Sequence, residues 1–210
     1  MKSEKRNPAQ RVYLTIFVCL VMFAVSFPLY GYRIMYAEQF YKLYHRNLYQ
    51  YSNDYRENIW YLEQALKHPF VNPLHALARI ETPEQWERYR YLFAMHVNLK
   101  LVEQYRYWAA RYDKRTAYFF NAPFKQQNLE SLEIAEKLYN NALYYWEEAL
   151  FWWEEVKKQP RHHFQEVQFW EDEWIRIYTG DLDYHDFISM DLERLQSVRE
   201  AFLEMDESTY

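Results

Sequence analysis

Two glycines and one cysteine are all that this 210-residue chain holds of either residue. With only Gly31 and Gly180, left-handed turns and β-bulges have almost nothing to be built from, which points away from sheets and towards helices. The same scarcity excludes a Gly-rich phosphate loop and a nucleophile elbow. Cys19 alone can make neither an intrachain disulfide nor a Cys-x-x-Cys motif. None of the 7 His has Glu three residues before it, so the ligand pairs of a di-iron carboxylate bundle are missing. Positive charge is also short: 25 Lys and Arg stand against 30 Asp and Glu. Residues 1–33 carry five basic residues and one acid, which leaves a net −9 on residues 34–210. An acidic body of this kind disfavours nucleic acid as a partner, because phosphates demand a basic face.

What the chain has in abundance is rings. Aromatics make up 21% of it, with 22 Tyr and 8 Trp. Such side chains bury much area at low entropic cost and can keep a polar tip wet, which suits both helix interfaces and contact with another protein.

Val12 to Tyr32 runs without a charge, long enough as a helix to cross about 30 Å of hydrocarbon at about 1.5 Å per residue. Four basic residues precede it, so the positive-inside rule places residues 1–11 in the cytoplasm and the body outside. No A-x-A site follows, and the run exceeds a usual signal-peptide core, which favours an uncleaved signal anchor in the inner membrane. The expected organisation is a basic cytoplasmic tail (1–11), a transmembrane anchor in the lipid bilayer (12–32), an extracytoplasmic helical domain (33–205) and a frayed end (206–210).

Helical punctuation runs through the body. Phe40, Leu43, Tyr44 and Leu48 recur at helical spacing, so the anchor is expected to continue outward as one long helix to Gln50. Ser52, Asn53 and Asp54 offer caps for a helix over Ile59, Leu62, Ala65 and Leu66 that Pro69 ends. Asn72-Pro73 opens a short helix over Leu74, Leu77 and Ile80. Thr82, Pro83 and Gln85 form a capping box launching a helix from Glu84 to about Tyr112. Pro123 breaks the following connection. Asn128 caps the longest run, to Lys157, with Leu132, Ala135, Leu138, Ala142, Tyr145, Trp146, Ala149 and Trp153 at three and four spacing. A helix over 164–179 ends at Gly180, and Asp183 or Asp186 starts the last one. The fold class is all-α: antiparallel helical hairpins behind a transmembrane helix. Ala142, Trp146 and Ala149 match the second helix of a tetratricopeptide repeat, although the first-helix pattern is missing.

Chemistry finds little purchase. His162, His163 and Glu166 make the best metal candidate, but a polar helix start after Pro160 explains them better. Glu147, Glu148, Glu154 and Glu155 read as the solvated side of the longest helix. No cofactor or catalytic residue is assigned. The rings Tyr144, Tyr145, Trp146, Phe151, Trp152 and Trp153 are more informative, because a helix cannot bury consecutive rings on one narrow face. They are the candidate partner-binding residues; the alternative is a helix sandwiched on two sides. A competing reading is a membrane-tethered enzyme or ligand-binding domain whose dispersed pocket would include His96, Asn98 and Tyr105.

Glu57 to Ile59, Ala65, Leu66, Pro69, Phe70, Asn72 to Leu74 and Ala76 to Ala78 resemble a set of spirochaetal proteins. So do Trp86, Glu87, Tyr89 to Phe93, Met95 to Leu99, Tyr112 to Lys114 and Asn121 to Pro123. Over residues 34 to about 155 the chain is similar in kind to the periplasmic flagellar motor collar proteins. That resemblance implies a non-enzymatic scaffold, with collar and stator components as partners in the periplasm. An envelope or division scaffold would rest on the same physics.

Overall fold

The structure is a computed structural model that describes Tyr13, Ile16, Phe17 and residues 33–115 and 121–206. The expected anchor at 12–32 falls, apart from those three residues, outside the described part. Among the described residues no helix is long and apolar enough to cross a membrane. From Met35 onward they form one compact unit, all-helical and without strands.

Helix α1 (Ala37–Gln50) starts afresh rather than continuing from upstream, since Arg33 to Met35 are non-helical. Tyr36 is extended at its N-cap, and the Gln39 side chain turns back so that Oε1 accepts from the backbone N–H groups of Met35 (2.8 Å) and Tyr36 (3.1 Å). Those donors would otherwise be orphaned at the helix end, and satisfying them fixes the start. Helix α2 (Tyr55–Lys67) begins where Asp54 accepts from Glu57 N–H. The expected short helix after Asn72 is only the 3₁₀ turn Pro73–His75. The proline start is there, but Leu74 is exposed, so no buried stripe carries the turn onward.

Helix α3 (Pro83–Ala109) opens on the capping box, with Thr82 Oγ1 accepting from Gln85 N–H at 3.2 Å and Gln85 Oε1 from Thr82 N–H at 3.3 Å. Every residue from Leu92 to Leu99 is buried, as expected for a central helix covered on all sides. Helix α4 (Lys125–Lys157) starts three residues before the expected cap, out of a 3₁₀ turn Ala122–Phe124, and Asn128 is buried within it. Helix α5 (Gln168–Thr179) follows the 3₁₀ turn Gln165–Val167 and ends at Gly180, whose φ of 78° only glycine adopts cheaply. Helix α6 (Tyr184–Glu204) is capped by Asp183, which accepts from His185 N–H.

The helices run up and down. Asn47 bonds Asn58 across α1 and α2, Asn58 bonds Gln104 across α2 and α3, and Arg199 pairs with Glu136 across α6 and α4. The α3–α4 pair is the most extensive interface. These helices fill 27 and 33 residues, whereas a tetratricopeptide unit fits both helices into about 34. The hairpin is therefore too long for that repeat.

Trp170 of α5 closes the core, its ring 5.4–6.0 Å from those of Tyr41, Tyr89, Phe93 and His96. The loop after α2 is held by a buried carboxylate: Glu38 accepts from Val71 N–H (3.0 Å) and Tyr89 OH (3.4 Å). Burial raises the Glu38 pKa.

Candidate functional site

Helices α2, α3 and α4 lie side by side and leave a cleft of about 440 Å³ between them, within the usual size range of ligand sites. Small residues open it: Ala65 on α2 and Ala94 on α3 stand where larger side chains would fill the space. Its walls are Leu66, Phe70, Tyr91, Phe93 and Trp152, and its polar members are Arg90, Asn98 and Glu148. Tyr91, Ala94 and Asn98 are three and four apart on one face of α3, as Glu148 and Trp152 are on α4.

Two ring pairs set the register across the cleft. Tyr91 stacks on Trp152 with centroids 5.7 Å apart, and Tyr105 stacks on Tyr145 at 5.5 Å. Residue numbers rise along α3 as they fall along α4, so Asn98, midway between the two tyrosines, stands level with Glu148. Beyond the cleft, Tyr145 OH donates to Glu63 of α2 at 3.0 Å and ties the three helices together. Burial pushes the Tyr105 hydroxyl up to about 12 and raises that of Tyr145 as well, so both remain neutral donors.

The polar members are unevenly satisfied. Asn98 is 1% exposed; its Nδ2 donates to Ala94 O at 2.9 Å, while Oδ1 has no partner. Arg90 donates through Nη2 to Glu87 and lies over the Trp86 ring, but its buried Nε is also without a partner. The Glu148 carboxylate makes no ion pair or hydrogen bond among the described residues. An unmet buried polar atom costs about 1–3 kcal/mol, which Asn98 Oδ1 and Arg90 Nε carry within the packing, whereas Glu148 is only half-buried.

The six candidate rings on α4 separate into classes. Trp146 is buried, edge-on to Tyr184. Tyr145 is half-buried in its stack. Trp153 and Trp174 exchange bonds, each indole N–H donating to the other's backbone carbonyl at 3.1 and 3.3 Å. Trp152 walls the cleft. Tyr144 and Phe151, seven residues apart on one face, are each 54% exposed.

Of the dispersed-pocket residues, Asn98 is on the cleft and Tyr105 beyond it, but His96 is not. Its ring is fully buried on the opposite side of α3, with Nε2 2.8 Å from Tyr41 OH and Nδ1 2.5 Å from Glu173. Burial lowers its pKa, so the neutral ring donates from Nδ1 and accepts at Nε2. His162 and His163 line a second hollow with Arg88, Arg161, Glu171 and Trp174, and Glu166 is not in it. No group of three metal-binding side chains occurs among the described residues. Glu148, which reads from sequence as solvated, lines the cleft; Arg90 and Phe70 carry no signal as site residues in the sequence. Asn98 does carry one, as a polar residue inside an apolar stretch.

No curated protein and no solved structure matches the chain. A family model described as Domain of unknown function (DUF8513) matches residues 84–205, from the start of α3 to the end of α6, and leaves the α2 wall of the cleft outside. That match spans more than half of the chain, which therefore belongs to the DUF8513 family.

Proposed function

We propose that this protein is a non-enzymatic, membrane-anchored scaffold that assembles other proteins in the periplasm, as a component of a spirochaetal flagellar motor collar supporting the stator and motility. The observation that carries the reading is the pairing of Tyr144 and Phe151, exposed on one face of a helix whose neighbouring rings are locked in the core. Rigid aromatic side chains presented in this way lose little entropy on docking, which is why interfaces are enriched in them. The uncharged run Val12 to Tyr32, preceded by four basic residues, supports an inner-membrane anchor with the body outside. The collar assignment rests on the resemblance over residues 34 to about 155.

Deleting the gene and imaging flagellar motors in situ by electron tomography tests it. Loss of periplasmic density around the motor, with a motility defect, is the expected result. An unchanged motor overturns the collar assignment and moves the scaffold to another envelope or division assembly. A second reading, a membrane-tethered ligand-binding or enzymatic domain, is favoured by the cleft between α2, α3 and α4.

A further inference from the structure

We propose that Tyr41 is a proton-coupled trap for oxidising equivalents: it gives up an electron, through a chain of rings, to a one-electron oxidant acting at Trp86, while its phenolic proton passes to Nε2 of His96. This redox activity of the helical core is independent of the scaffold reading.

Two hydrogen bonds in series prepare the proton transfer. Tyr41 OH lies 2.8 Å from His96 Nε2, and His96 Nδ1 lies 2.5 Å from Glu173 Oε2. An ionised carboxylate only accepts, so Nδ1 carries the ring proton and Nε2 turns a lone pair to the phenol. A phenol that has lost an electron is a strong acid, so the neutral imidazole takes its proton even where burial weakens the base. Lys100 bridges Glu173 and Glu103 at 3.3 and 2.8 Å. With His96 neutral, two carboxylates and one ammonium leave these groups at −1, and the transferred proton brings them to zero. The products are the Tyr41 phenoxyl radical, an imidazolium held by Glu173, and the oxidant reduced by one electron.

Adjoining rings carry the electron outward. Trp170 stands 6.0 Å from Tyr41, Tyr89 5.6 Å from Trp170, and Trp86 5.3 Å from Tyr89, centroid to centroid. Electron tunnelling falls steeply with distance, and indoles and phenols lose an electron more readily than the aliphatic side chains around them. Tyr41, Tyr89 and Trp170 are buried, whereas Trp86 is half-buried near the start of α3. A radical formed at Trp86 thus has a continuous aromatic route inward, to a place where it cannot couple with another chain. Other buried tyrosines are worse served with a base. Tyr89 donates to Glu38 only at 3.4 Å. Tyr139 donates to Asp113 at 2.8 Å, but Arg194 occupies the same oxygen at 2.6 Å. Tyr184 donates to Glu103 at 3.2 Å, to an oxygen already bound by Lys100.

The test uses the full chain in nonionic detergent micelles and azidyl radicals made by pulse radiolysis, which take one electron from indoles and return azide. Indolyl absorption is expected to decay as tyrosyl absorption grows, at a rate independent of protein concentration. Frozen samples are expected to give a tyrosyl signal in electron paramagnetic resonance. Double resonance with isotope-labelled histidine should show an imidazolium bonded to the radical oxygen, a readout that needs no variant. Tyr41→Phe should lose the long-lived signal, and Trp86→Phe should slow its growth. His96→Gln keeps an acceptor but no base, and should slow growth at least about tenfold, well within what a positioned base contributes to proton transfer. Tyr139→Phe should behave as the parent. Unchanged near-ultraviolet circular dichroism verifies that the variants fold.

A long-lived tyrosyl signal that survives Tyr41→Phe overturns the proposal, as does a parent signal without histidine coupling. Equal growth in His96→Gln reduces His96 to a packing residue, and equal growth in Trp86→Phe removes the entry point. Indolyl decay without tyrosyl growth, or growth that quickens with protein concentration, shows that no internal route exists. None of these outcomes bears on whether the motor loses density in the deletion strain, so the two readings fail separately.

Discussion

The guanidinium of Arg88 meets the carboxylate of Glu171 in a fork of two hydrogen bonds, Nε to Oε1 at 2.8 Å and Nη2 to Oε2 at 2.6 Å, joining α3 to α5. Arg88 is 1% exposed, and its Nη1 donates to Val156 O in the last turn of α4. One side chain thus binds three helices. Removing either partner strands a buried charge, so Arg88→Met or Glu171→Leu alone is expected to cost about 3–5 kcal/mol in urea unfolding. The double variant is expected to recover most of that loss, because it removes both charges; a double variant as unstable as the worse single would disprove the pairwise account.

The rings of α4 should divide in the same measurement according to burial. Trp146→Ala leaves a cavity in the core and is expected to cost about 3–5 kcal/mol. Tyr144→Ala and Phe151→Ala remove half-exposed rings, and each is expected to stay within about 0.5 kcal/mol of the parent. If the scaffold reading holds, the latter two weaken partner capture without lowering stability, which co-purification from cross-linked cells would reveal.

His96 predicts a pH dependence. Burial lowers its folded-state pKa below the usual histidine value near 6.5, so the unfolded chain binds a proton that the folded chain refuses. Stability contributed by the neutral ring is present above the unfolded value and is lost as pH falls below it, by at most about 1.4 kcal/mol per pH unit for one proton. Urea midpoints from pH 7 down to pH 5 should fall in the parent and fall less steeply in His96→Gln. Parallel slopes would show that other groups govern the acid limb.

Lys114 occupies the left-handed region, with φ of 57°. Its neighbour Asp113 is fully buried, accepting from Tyr139 OH at 2.8 Å and Arg194 at 2.6 Å, and this clamp of α4 and α6 holds the backbone in place. A side chain there carries a steric cost that glycine avoids. Lys114→Gly is therefore expected to raise stability by about 0.5–1 kcal/mol, and Lys114→Ala to leave it unchanged, as read from thermal unfolding.

Local chemistry makes much of this chain legible. Thr82, Pro83 and Gln85 satisfy their own orphan donors wherever the rest of the protein lies, and Asp54 and Gly180 act within a few residues in the same way. The start of α4 was displaced because a cap signal at Asn128 competed with burial: tertiary contact drew Asn128 inside and let the helix begin at Lys125. The cleft was not legible, since it depends on Ala65, Ala94 and Glu148 coming together from three helices.

The sequence by itself determined an all-helical body with most of its breaks, because caps, prolines and spacing act over one or two turns. Only the tertiary structure decided that Trp146 is core and Tyr144 surface, two residues apart, and that Asn98 keeps an acceptor unmet. Those outcomes depend on which neighbouring helix covers each face, and no local signal in α3 or α4 specifies the neighbour.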